Sequence, residues 1–155
     1  MDSYECIQLI KSNFGQDAIR KDEPDSFVAY EEVFRWSLMA TKLKITSFVK
    51  HMPAVDLSEA KTYSEHCMKQ VLSEREGLVF QTALVSFNVV VSENISAEAI
   101  RFVSSVPKKH FAAFEVPVLI DTKTMKTHFF EGSMVWGAIY ESFIREYLLD
   151  HFVVS

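Results

Sequence analysis

Five histidines, two cysteines and four glycines hold most of the recognisable chemistry available to this chain of 155 residues. Their spacing excludes more than it offers. His51, His66, His110, His128 and His151 include no i,i+4 pair and no HExxH element, so no set of imidazoles is arranged to converge on a zinc ion. His66 and Cys67 are adjacent, and neighbours on a helix point about 100° apart, so they cannot both face one ion. Neither a metal centre nor a cofactor is expected. Cys6 and Cys67 form no CxxC pair and sit on apolar stripes, where burial raises a thiol pKa and makes it inert. No GxSxG elbow is present. The glycines form neither GxGxxG nor GxxxxGKS, which removes the usual cradles for phosphate. Gly15 and Gly77 read as helix ends and Gly132 as a turn. Gly137 falls inside a helix, at a cost of about 1 kcal/mol relative to alanine. Close contact with a sheet offsets that cost most simply; the sharper alternative is approach to a ligand beside Trp136.

One arrangement could do hydrolytic chemistry. After the apolar run Val118, Leu119, Ile120 come Asp121, Thr122 and Lys123. An acid, a spacer and a lysine at the end of a strand resemble the last element of the PD-(D/E)xK nuclease motif. That resemblance implies a carboxylate on Mg²⁺ and a lysine that positions the attacking water. The second acid it needs would be Glu93, so the candidate catalytic set is Glu93, Asp121 and Lys123. A turn explains Asp121 more cheaply. Centred on Lys123 and Thr124, it places Asp121 across from Lys126 as an ion pair, whereas a five-residue loop shifts the partner to Thr127. The only basic cluster of note, Lys108, Lys109 and His110, follows a helix end, where cations complement the macrodipole; contact with an anion is the other use.

The elements that must position these groups follow from periodicity. Residues 3–14 form a short amphipathic helix, with Asp2 and Glu5 at capping-box spacing and Gly15 at its end. Residues 15–26 read as a solvated loop. Residues 27–36 fit either a helix or a strand interrupted by Glu32, and the apolar spacing leans towards a helix. Residues 38–50 alternate strictly, with Lys42, Lys44 and Lys50 on one side, which predicts a half-buried strand. Residues 56–76 carry the best helical stripe, opened by Asp56 and Glu59. A long strand is expected at 78–91, then a helix capped by Ser96 and stopped by Pro107. A strand follows at 110–121, with Pro117 demanding an edge or bulge. A return strand at 127–131 leads to a last helix capped by Ser133, whose apolar face includes Trp136 and Tyr140.

Composition sets the frame. Hydrophobic residues make up 48% of the chain, and 13 Phe, 5 Tyr and 2 Trp exclude disorder. Lys and Arg total 16 against 21 Asp and Glu, a net charge of −5, which argues against nucleic acid held by a general basic field. No apolar run reaches membrane-span length, and the acidic N-terminal residues lack the charge of a signal peptide, so a cytoplasmic protein is expected. The predicted fold is one α+β domain over residues 1–155. It is a two-layer sandwich around a mixed sheet of about four strands, with helices mainly on one face. The lysine-bearing face is then open and presents Phe48, Leu84 and Leu119. The leading functional expectation is a non-enzymatic binding or regulatory module, with a protein partner or, most simply, a homodimer formed through that face. The alternative is a small metal-dependent hydrolase using Glu93, Asp121 and Lys123. A third is a small-molecule pocket lined by Trp136, Tyr140 and Phe129.

Overall fold

The computed structural model describes residues 1–36, 41–74, 82–107, 109–110, 113–132 and 138–154. The chain opens with helix α1 (Ser3–Ser12), and a single 3₁₀ turn (Gln16–Ala18) leads into the antiparallel strands β1 (Ile19–Glu23) and β2 (Ser26–Arg35). Strand β3 (Thr41–His51) returns antiparallel to β2. Helix α2 (Leu57–Ser73) then carries the chain to β4 (Thr82–Ser92), parallel to β3. Helix α3 (Ala97–Ser104) and the two-residue β5 (Lys109–His110) precede β6 (Ala113–Asp121), parallel to β4. A tight turn gives β7 (Lys126–His128), antiparallel to β6, and α4 (Ala138–His151) closes the fold. The seven strands of the described residues lie in the order β1-β2-β3-β4-β6-β5, with β7 also on β6.

Local chemistry accounts for the helix starts. Asp2 and Glu5 form a capping box on α1, and Asp56 and Glu59 form another on α2, each aspartate accepting a backbone N–H at 2.8 Å. Ser96 caps α3 by accepting the Ala99 N–H. Each ordering contact satisfies a donor that the first helical turn leaves without an intrahelical partner.

The α+β class and the mixed sheet stand as expected, but among the described residues the sheet has seven strands and helices pack on both of its faces. On one face Leu43, Ile45, Val85, Phe87, Val89, Val118 and Ile120 pack against Ile7 and Ile10 of α1 and Ile144, Tyr147 and Leu148 of α4. On the other, Phe48 and Leu84 lie under Cys67, Met68 and Val71 of α2, while Val90 and Leu119 meet Ala60, Ala99 and Val103 of α2 and α3. The layers are therefore helix, sheet, helix. Alternation places Lys42, Lys44 and Lys50 on one side and predicts an open face there; Lys42 and Lys50 are exposed, but Phe48 on the same side is covered. A lysine can lay its aliphatic stem on the core and keep its ammonium in water, so its presence does not mean a bare surface.

Three segments differ from expectation, the shortest being the return strand, expected at 127–131 and found as β7 at Lys126–His128. Residues 27–35 run in β2 rather than as a helix: Phe27 and Ala29 are buried on one side, and Glu32 pairs with Lys42 of β3 at 2.8 Å. Part of the polar stretch 15–26 is strand β1, which satisfies its backbone on β2 and exposes four of its five residues. Gly15 has φ −66°, so it does not serve as a left-handed helix terminator. At the other edge, Pro117 lies where expected. Among the described residues β5 pairs only with Ala113 and Phe114, and β7 only with Leu119 to Asp121, leaving the outer side of β6 at Pro117 without a ladder partner.

Candidate functional site

Parallel strands β3, β4 and β6 all deliver their carboxyl ends to one side of the molecule, the place where open sheets most often hold ligands. Five chain segments meet there around a cavity of about 420 Å³. His51 ends β3, Glu93 follows β4 and Thr122 follows β6. Pro24 and Asp25 come from the β1–β2 turn, and Asp2, Ser3, Tyr4 and Ile7 from the start of α1. Backbone bonds hold these loops: the His51 N–H donates to the Asp25 carbonyl at 2.9 Å, and the Thr122 N–H to the Ser92 carbonyl at 3.0 Å.

Glu93 is the electrostatic centre of this cavity. Its Oε2 accepts the Ser3 hydroxyl at 2.9 Å and lies 3.1 Å from His51 Nε2. The His51 contact first, and the Ser3 hydroxyl second, hold the Glu93 carboxyl below its ordinary value of 4.5. The arrangement has the residue types of a serine–histidine–acid triad but not its connectivity. A nucleophilic hydroxyl must be hydrogen-bonded to its base, whereas here the hydroxyl and the imidazole both meet the carboxylate. The geometry orients three polar groups around a cavity; it does not activate Ser3.

Comparison with known protein families, curated proteins and solved structures finds no match. The site is therefore read from its own atoms.

The predicted hydrolytic residues are only partly brought together. Asp121 pairs with Ser92 across β6 and β4, so Asp121 and Glu93 leave adjacent strands at the same end of the sheet. Asp121, however, turns its Oδ1 back to accept the N–H groups of Lys123 and Thr124, at 2.8 and 3.3 Å. The hairpin register is the one that pairs Asp121 with Lys126, as the four-residue turn requires. Met125 closes it at φ +54°, the left-handed region that side chains seldom adopt. Among the described residues no group of three His, Cys, Asp or Glu side chains could hold a metal ion.

The predicted apolar contact residues are core. Phe48, Leu84 and Leu119 are 7%, 5% and 1% exposed beneath α2 and α3, so they offer no docking surface. Tyr140 packs on the core, with its ring 4.9 Å from Phe114 and its hydroxyl 3.3 Å from that of Thr41; Phe129 is buried. Trp136, Gly77, Gly137, Ser133 and Lys108 lie outside the described residues. Both thiols are buried as expected, and burial pushes Cys6 up to about 11 and Cys67 to about 12. Among the described residues no helix is long and apolar enough to cross a membrane.

Sequence reasoning missed a buried polar group under α2. Asn88 donates to the Ser64 hydroxyl at 2.9 Å and accepts from Ser86 at 2.5 Å, all inside the protein. Glu115, paired with Ser86 across the strands, is buried and meets His110 Nε2 at 3.2 Å. The available signal was the run of polar residues at alternate positions, Ser86 and Asn88, on an otherwise apolar strand. Their bonds tie α2 to the sheet and fix its seat.

Proposed function

We propose that the protein is a non-enzymatic binding module whose ligand, a small amine-bearing molecule, sits in the cavity at the carboxyl ends of β3, β4 and β6. The observation that carries this reading is the convergence of Ser3 and His51 on Glu93 inside a cavity of about 420 Å³, within the size range of small-molecule sites. The cavity brings Asp2, Asp25 and Glu93 near a single imidazole, while Tyr4, Ile7 and Pro24 supply apolar wall. The Asp2 carboxylate caps α1, whereas both donors to Glu93 meet its Oε2 alone, so Asp25 and Glu93 are the acids offered to a cation. A hydrolase acting through Glu93, Asp121 and Lys123 has less to rest on, since Asp121 turns back to accept the N–H groups of its own loop.

Titration with 1,5-diaminopentane, followed by amide chemical shifts, tests the reading. Saturable shifts should cluster at Tyr4, His51, Glu93 and Thr122, and an Asp25→Asn/Glu93→Gln variant should lose them. Shifts spread over all acidic surfaces, or equal shifts with 1,5-pentanediol, would overturn it.

A further inference from the structure

The outer edge of β2 is only half covered. Strand β1 pairs with residues Ser26 to Ala29 and stops there. Among the described residues, no strand pairs with the outer side of Tyr30 to Arg35, although their inner side is paired with β3 throughout. An unpaired edge presents a row of backbone donors and acceptors to any strand that can dock. This one ends in two exposed aromatic side chains, Phe34 at 52% and Trp36 at 80% exposure, packed edge to face with ring centres 5.3 Å apart.

The sequence of that edge is complementary to itself. Tyr30-Glu31-Glu32-Val33-Phe34-Arg35-Trp36, laid antiparallel on a second copy about Val33, sets Val33 against Val33 and Glu31 of each copy against Arg35 of the other. The same register places Tyr30 against Trp36 and Glu32 against Phe34. Face assignments agree, because directly opposed residues project from the same side of a sheet. On one side lie Glu31, Val33 and Arg35, where the Tyr147 hydroxyl donates to Glu31 and the Arg35 guanidinium stands 5.7 Å from the centre of the Phe143 ring. On the other lie Tyr30, Glu32 and Phe34, and the ring of Trp36, just past the end of β2, packs on Phe34. Opposite charges and aromatic pairs therefore coincide in a single register, which a merely defensive set of edge charges would not produce.

We propose that the partner for this edge is a second copy of the chain, joined by antiparallel pairing of residues Tyr30 to Trp36 so that one sheet runs through both subunits. The two-fold axis passes beside Val33, as an isologous contact requires.

Sedimentation equilibrium on the full chain should show a dimer at high micromolar concentration. Arg35→Glu, which sets acid against acid, and Trp36→Ala should each weaken it at least tenfold while leaving far-ultraviolet circular dichroism unchanged. Val33→Cys should form an intermolecular disulfide under mild oxidation, because it faces its own copy across the axis. Val28→Cys, under β1, should not. A monomeric wild type, a dimer indifferent to both substitutions, or equal cross-linking at positions 28 and 33 would overturn the proposal. Should either surface variant fail to fold, the cysteine pair decides the question.

Discussion

Glu93 has two donors on one oxygen, and this sets how the site responds to acid. Its folded pKa lies below the ordinary 4.5, so as pH falls the unfolded chain takes up this proton first. The stabilisation is present in full above 4.5 and is lost as pH drops through the folded value. Its side chain is 48% exposed, so solvent screening limits the effect to no more than about 1 kcal/mol. Urea melts at a series of pH values should show Glu93→Gln losing part of the acid-side decline seen in the wild type; parallel profiles would mean that the contact contributes nothing. The turn at Asp121 was legible at this scale, because an aspartate accepts N–H groups two residues on whatever the rest of the fold does. The meeting of Ser3, His51 and Glu93 was not, since it joins residues 48 and 42 positions apart through a sheet whose strand order no local pattern states.

Elements show the same division. Both capping boxes could be read from Asp2 with Glu5 and Asp56 with Glu59, because a cap is a contract among four consecutive residues. Asp56→Ala should cost about 1 kcal/mol in chemical unfolding with little change in the m-value, and a cost near zero would mean that packing alone holds the start of α2. Strand β2 was misread because Phe27, Tyr30, Val33 and Phe34 happen to match a helical stripe, while the second strand that favours extended backbone there, β3, lies downstream. Short β1 escaped altogether. Four of its five residues, Arg20, Lys21, Asp22 and Glu23, are charged and exposed, which suits an edge that must not recruit strangers and leaves little apolar signal to read.

For the whole molecule, the decisive observation is that helices cover both sheet faces. Phe87 shows what that closure contributes: fully buried, it stacks on Tyr147 with ring centres 4.9 Å apart and lies 5.4 Å from Phe152. Phe87→Ala should destabilise the protein by roughly 3–5 kcal/mol in denaturant melts. A loss below about 1.5 kcal/mol, the scale of a tolerated volume-conserving swap, would mean that α4 does not seal the centre of this face. With helices packed on both faces, the two features of the described residues on which recognition is argued lie at the rim: the carboxyl-end cavity, and the length of β2 beyond β1 with Phe34 and Trp36.

From its sequence alone this protein is an acidic, aromatic-rich α+β fold with two capping-box helices, a lysine-flanked strand and a turn after Asp121. Each of those depends on residues within a few positions of one another. The four-residue register of that turn came from the tertiary structure. Only the tertiary structure decided that Phe48, Leu84 and Leu119 are core, and that His51 and Glu93 share a cavity. The path of a connecting helix over one sheet face or the other, and the order of strands beneath it, are set by the joint packing of distant segments. Alternation along one strand says which residues share a face, but not what lies above them.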